Sequence, residues 1–424
     1  MRIQPELHIF PHGGEKINLY LSTLISKTAM PAGRIASIDI MRGLTLLLML
    51  FVNDLNMDVA PAWLGHMPAD FDGMGLADWV FPGFLFIVGM SVPFAITNRI
   101  SQGLVQTDNI KHIIYRTVSL LVIGILMLNT SRVDPGLTGI GKNLWAVLMY
   151  LAVFLVWNNY RSKDEKFFTV TGFRLAGIGL LIVLIFKFRS GQPENDGSLI
   201  AGWWGILGLI GWGYLAAGLT FILCRNSIPL TASVAALFLV LNVLSSLGLT
   251  GFMDPARPIL GVIVDGNVPF IVISGMVAGL MVKRTADTGH KPLIRNLIIT
   301  GVLMLAAGLF LRKWFILSKI QATPSWGLVC TGISILVFTI IYVTADVFKK
   351  TRWADFFRPA GENSLTTYLA PDILYHLIWM GGLPVFFYKQ STNLPVLIGG
   401  SIIWAILMVW LTALLKRLGV SLKL

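Results

Sequence analysis

The chain alternates between apolar runs of bilayer-spanning length and short polar connections. About twelve such runs can be counted, centred on Leu46, Phe86, Leu121, Leu151, Leu180, Trp212, Leu237, Ser274, Met304, Ser334, Pro371 and Ala405. A helix of about 20 apolar residues crosses the hydrocarbon core of a membrane, and only helices and closed barrels satisfy their backbone polar groups there. Runs of this length predict an all-α polytopic integral membrane protein with about ten to twelve transmembrane helices. Residues 34–424 read as one transmembrane domain. Residues 1–33 stand apart as an N-terminal extension, either disordered or holding a surface amphipathic helix in INLYLSTLISK. The polar PHGGEK stretch in that extension argues against a cleaved signal peptide.

Charge orients the bundle. With the N-terminus placed in the cytoplasm, the outer loops hold Arg132, Lys142, Lys187, Arg189, Arg257, Arg312, Lys313, Lys319 and Lys389, while Arg42 and Arg174 lie within helices. The remaining 22 of the 33 basic residues fall on the cytoplasmic side, as the positive-inside rule requires, and both termini are then cytoplasmic. Of 424 residues, 55% are hydrophobic and 13% charged, with mean hydropathy +0.75. A net charge of +12 would point to nucleic acid in a soluble chain, but here it belongs to membrane topology, and nucleic acid is not expected as a partner. Basic cytoplasmic loops without an organellar signal place the chain in a bacterial inner membrane. The two cysteines, Cys224 and Cys330, lie far apart inside apolar runs and offer no disulfide framework or zinc site, and no metal is expected.

Ionisable groups at membrane depth cost about 2.5 to 3.5 kcal/mol each on insertion scales, so each needs a partner or a watery cavity. Asp39 and Arg42, spaced i, i+3, can pair on one helix face; otherwise Arg42 is available to an anionic ligand. Asp372 and His376, spaced i, i+4, either satisfy each other or serve a function. Asp346 and Arg174 belong to the same group. Glycine in the helices reads as close packing, and the Gly275 and Gly279 pair serves either packing within the chain or a homodimer.

The strongest chemical signal is the outer loop NDLNMDVAPAWLGHMPADFDGMGLAD, which carries His66 among Asp54, Asp58, Asp70, Asp72 and Asp78. A carboxylate beside an imidazole fixes its tautomer and stabilises the imidazolium formed when the other nitrogen takes a proton. Asp78 is the favoured partner, because it immediately precedes WVFPGFLF and can cap that helix from a rigid position. An exposed histidine without a task is the plain alternative.

Three segments carry a family likeness. SIDIMRGLTLLLMLFVN, the His66 loop running into ADWVFPGFLFIVG, and PAGENSLTTYL together resemble transmembrane acyltransferases of the heparan-α-glucosaminide N-acetyltransferase type. KIQATPSWGLVCTGIS, Lys319 to Ser334, resembles an uncharacterised bacterial branch. The resemblance implies transfer of an acetyl group from cytosolic acetyl-CoA to the amino group of a glucosamine or related glycan on the other side, with His66 at the centre. By motif it implies Asn53 and Asp78 as its partners and matches Asp254, Asn363 and Ser364 to family steps; these three, with Trp326, are the substrate-binding candidates. Where the family has Asp-Pro-Glu-Gly, this chain reads Asp254, Pro255, Ala256, Arg257, and Ala322 stands where the family has Trp; both changes bear on the acceptor.

On this reading His66 acts as general base, or as acyl acceptor in an alternative route, and Asn53 donates to the developing oxyanion. Asp78 orients the imidazole. The phosphates of CoA need cations near the cytoplasmic face, for which Arg42, Arg116, Arg174, Lys283, Arg284 and Arg358 are the candidates. Twelve helices with scattered polar groups also describe a sugar permease, and a fold retained without activity is the third reading.

Overall fold

The computed structural model describes residues 35–160, 167–192, 194–285 and 289–424. The N-terminal extension at residues 1–33 therefore lies outside the described residues. The described chain is all-α, with two isolated β-bridges as its extended pairings. Twelve long helices coincide with the twelve apolar runs: α1 Ala36–Asp54, α2 Leu76–Ser101, α3 Gln106–Thr130, α4 Lys142–Trp157, α5 Phe167–Lys187, α6 Gly205–Cys224, α7 Ile228–Ser246, α8 Asn267–Lys283, α9 His290–Leu311, α10 Pro324–Tyr342, α11 Ser364–Met380 and α12 Leu394–Arg417. Among the described residues ten spans are long and apolar enough to cross a membrane alone; α11 adds an eleventh if it is joined to the 3-10 helix Pro384–Gln390, bent 100° from it. α4, at 16 residues, is shorter.

α2 is apolar around its whole circumference and sits at the centre, with 78% of its apolar stretch buried, whereas α5 and α7 bury 17% and face the lipid. The packing of α2 on α8 is backbone-close. A Cβ at Gly275 would lie 2.0 Å from the Phe86 carbonyl oxygen and one at Gly279 2.5 Å from that of Met90, so this glycine pair is used inside the fold.

The two ends of the bundle differ in how they handle charge. At the start of α1, Asp346 accepts the backbone N–H groups of Ala36 (3.0 Å) and Ser37 (2.9 Å), satisfying the open donors of that helix. The anticipated Asp39–Arg42 pair forms at 3.4 Å, and Arg42 also donates to the Gly361 carbonyl and to Ser91. Asp372 and His376 do not pair with each other. Asp372 accepts from Tyr150 (2.6 Å) on α4, and His376 Nδ1 meets Asn143 Oδ1 (2.9 Å), because both side chains turn toward α4 rather than along their own helix. The opposite end of α1 leads into the loop that carries His66.

Candidate active site

The His66 loop is pinned at its base by Asp78. This residue occupies the third position of α2, where its Oδ2 accepts the backbone N–H groups of Gly75 and Met67, both at 3.1 Å. A carboxylate there satisfies helix donors that would otherwise be open and meets the positive end of the helix dipole. Gly75 fits because it lacks a side chain: a Cβ would stand 2.1 Å from the Gly65 carbonyl oxygen. The other oxygen of Asp78 lies 2.8 Å from His66 Nδ1. A carboxylate only accepts, so Nδ1 carries the hydrogen and Nε2 presents its lone pair. The Asp78 side chain is 2% exposed and the His66 ring 43%, so a fixed anion holds an imidazole that remains open to a reactant.

A third group completes the arrangement. Lys319 Nζ lies 3.1 Å from His66 Nδ1, 4.0 Å from Asp78 Oδ1 and 3.5 Å from the Ala77 carbonyl. Burial pushes the Lys319 ammonium below its ordinary pKa, with Asp78 pulling the other way. Lys319 belongs to the segment between α9 and α10, and that segment is stitched to the His66 loop. Arg312 grips Asp72 (2.9 Å), the Leu317 N–H donates to Asp72 (2.8 Å), Ser318 donates to the Ala69 carbonyl (2.8 Å), and Gln321 reaches Ala69 and Asp70. The Leu317 N–H, aided by Arg312, holds the Asp72 carboxyl below its usual range against a smaller opposing effect of burial. Lys319 was not among the sequence candidates. Its signal was a basic residue on the side of the membrane where basic residues are few.

The structure brings His66 and Asp78 together but leaves the other candidates elsewhere. Asn53 is exposed, makes no hydrogen bond with His66, and lines a small cavity of about 60 Å³ with Asp372, Tyr368 and Tyr375. Asp254 is bound by Arg257 (2.8 Å), which also holds Asp265 (2.5 Å) and Thr250 (2.8 Å). Arg257 thus ties down this turn. Trp326 is buried in the first turn of α10, its indole N–H without a partner. Asn363 and Ser364 open α11 at the end of the bundle away from His66: Asn363 accepts from Ser421 (2.9 Å) and Ser364 donates to the Gly361 carbonyl (3.1 Å), packed beside the start of α1.

Two curated proteins give the likeness outside support. Over 98 residues the chain is 33% identical to heparan-alpha-glucosaminide N-acetyltransferase of Mus musculus, and over 102 residues 34% identical to that of Homo sapiens. These matches cover 23% and 24% of this chain but only 14% and 15% of the relatives' own length. A family model described as "Domain of unknown function (DUF5009)" matches residues 34–244. This chain is a distant relative of a membrane acetyltransferase.

The six cations assigned to a CoA-like donor are not equivalent. Arg42 and Arg358 face carboxylates, Asp39 and Glu362, each at 3.4 Å. Arg174 lies 5.8 Å over the Tyr160 ring on lipid-facing α5. Lys283 hydrogen-bonds two neutral oxygens, Thr97 Oγ1 (2.7 Å) and Asn226 Oδ1 (3.0 Å), with Arg284 donating to the Asn226 carbonyl (3.4 Å). Arg116 lies 4.6 Å over the Tyr214 ring, its buried Nε without a partner. Lys283 and Arg116 therefore retain charge for a phosphate, and they fit such a group better than Arg42 or Arg358.

Proposed function

We propose that the protein is a membrane-embedded acyltransferase that moves an acetyl or similar short acyl group from acetyl-CoA to an amino sugar or glycan at the His66 end of the bundle. The observation that carries this reading is the Asp78–His66 pair, a buried carboxylate that orients an exposed imidazole. His66 Nε2 takes the proton of the acceptor amine as its nitrogen attacks the thioester carbonyl. The new C–N bond forms, the C–S bond breaks, and the departing thiolate recovers the proton from the imidazolium. Asp78 holds the tautomer and stabilises that imidazolium, and Lys319 pairs with Asp78 from the facing loop. In the alternative route Nε2 itself attacks the thioester, forming a C–Nε2 bond as the C–S bond breaks. The acceptor amine then attacks that acyl-imidazole, forming the C–N bond as the C–Nε2 bond breaks and losing its proton to the freed imidazole or thiolate.

Lys283, with Arg284 and Arg116, would hold the donor's phosphates; the donor supplies the activated acyl carbonyl. Thr97, which binds Lys283, and Asp78 are both on α2, 19 residues apart. At 1.5 Å per residue that separation is about 28 Å. Phosphate anchor and imidazole therefore sit near opposite faces, consistent with donor and acceptor on different sides of the bilayer.

The test is release of free CoA thiol from acetyl-CoA by the detergent-purified protein with a panel of amino sugars. Acceptor-dependent release supports the reading. No release with any acceptor, together with uptake of amino sugar into proteoliposomes without a CoA ester, would replace it with the permease reading.

A further inference from the structure

The loop that contributes Lys319 follows directly on a helix that walls an apolar groove on the membrane face of the bundle. The groove, about 460 Å³, runs between α7, α9 and α10, with Leu239 on one wall, Thr300, Leu303, Ala307 and Phe310 on the other, and Leu328 behind them. From Thr300 to the end of α9 at Leu311 the wall extends about 16 Å, close to half of a hydrocarbon core of about 30 Å. It therefore has the depth of one leaflet. That leaflet is the one on the His66 side, because Leu311 is followed directly by Arg312, whose guanidinium grips Asp72 of the His66 loop.

The mouth of the groove has the chemistry of a headgroup site. Trp314, 64% exposed, packs edge-on against Phe310 with ring centroids 5.2 Å apart. Lys313 is exposed, holds its ammonium 5.2 Å over the same Phe310 ring, and forms no ion pair among the described residues. Tryptophan and lysine at the end of an apolar helix face settle at the level of lipid headgroups, where the lysine meets anionic groups.

We propose that the acceptor is a lipid-linked amino sugar, whose alkyl chain lies in the α7–α9–α10 groove and whose anionic linkage meets Lys313. The sugar is thereby delivered to His66 from within the bilayer. This rests on the acyl-transfer reading of His66 and adds the substrate class. Lipid tails and groove walls are equally apolar, so selectivity comes from shape and from the headgroup contacts rather than from a hydrophobic gain.

A direct probe is a hexadecyl phosphodiester of glucosamine with a diazirine near the end of its chain, presented in phosphatidylcholine nanodiscs holding the full chain. Light-induced adducts are expected to concentrate in the peptide covering α9, at least about fivefold over the lipid-exposed face of α5 at Leu175 and Ile182. The excess is expected to disappear in Ala307→Trp, which fills the groove from an exposed position, and to fall in Lys313→Ala. In the acetyl-transfer assay Ala307→Trp is expected to raise KM for the hexadecyl acceptor about tenfold and to leave that for the methyl phosphodiester unchanged. Equal labelling of α5 and α9, or indifference of the labelling to Ala307→Trp, would overturn the assignment. Labelling requires no turnover, so the two layers separate. Groove adducts without CoA release in any assay would remove the acyl-transfer reading and with it the acceptor assignment. CoA release with free glucosamine and no groove adducts would keep acyl transfer and remove the lipid-linked acceptor alone.

Discussion

Asp54 and Asp78 lie at the same end of the bundle, each 1% exposed and each beside a lysine, yet their surroundings differ in kind. Asp54 is saturated: Tyr375 and Tyr388 donate to it, the latter at 2.7 Å, and Lys389 pairs with it at 2.7 Å while covering the rings of Tyr375 and Phe386. Trp404 and Trp379 pack around this group. Asp78 instead passes its charge to an imidazole that is 43% exposed. Asp54 is enclosed by buried and half-buried partners, which suits a role in the fold, whereas the last partner of Asp78 is open to solvent, which suits the proposed chemistry. The same residue types therefore predict opposite consequences of mutation.

The largest effect expected outside His66 is on stability. Asp54→Ala strands the Lys389 ammonium and two phenol hydroxyls, and loss of one partner of a buried ion pair costs about 3 to 5 kcal/mol. Thermal unfolding in detergent should show a large fall in Tm, with donor turnover per folded molecule little changed. Asp78→Asn should reverse the emphasis. An amide cannot accept from the imidazole and from two backbone N–H groups as a carboxylate does, and it favours the wrong tautomer. Steady-state kinetics should show kcat reduced about a hundredfold or more with a smaller fall in Tm.

Lys319 sets the Asp78 site apart from the Asp54 site in its pH dependence. Burial lowers its pKa from 10.5, so the folded state binds that proton less tightly than the unfolded state. Its contribution to stability is full above the unfolded pKa and is lost as pH falls through the folded one, so stability should rise with pH across the window just below 10.5. Tm measured from about pH 7 to pH 10.5 should show that rise in the wild type and a flatter profile in Lys319→Met. The smallest effect belongs to Arg312→Ala. Its pair with Asp72 is exposed on both sides, so the stability change should stay within about 1 kcal/mol by thermal unfolding, and a few-fold loss of kcat would report loosening of the His66 loop.

The helices were legible because each apolar run is long enough to be nothing else, and all twelve predicted centres fall inside helices. Asp78 was legible because it immediately precedes an apolar run, which fixes it at a helix start within reach of its own loop. Lys319 and the partners of Asp54 were not, since they come from 253 to 335 residues away and only the packing of the bundle brings them back. Of the five loop aspartates, the sequence singled out Asp78, which lies against His66, but gave no sign that Asp54 is held by two tyrosines while Asp72 holds the facing loop. Motif resemblance made Asn363 and Ser364 substrate-binding candidates, although a hydrogen-bond network with the last residues of the chain holds them at the other end. The Asp372 and His376 spacing was misleading for a local reason, as tyrosine and asparagine on α4 outcompete the partner four residues away.

The role of His66 is tested by acceptor-dependent release of CoA thiol by His66→Ala beside the wild type, each shown by thermal unfolding to be folded. Loss of a general base should lower the rate by about a hundredfold to ten-thousandfold with Tm nearly unchanged, because the ring is exposed and Asp78 keeps its backbone partners. Wild-type rates in a folded His66→Ala protein would contradict the account.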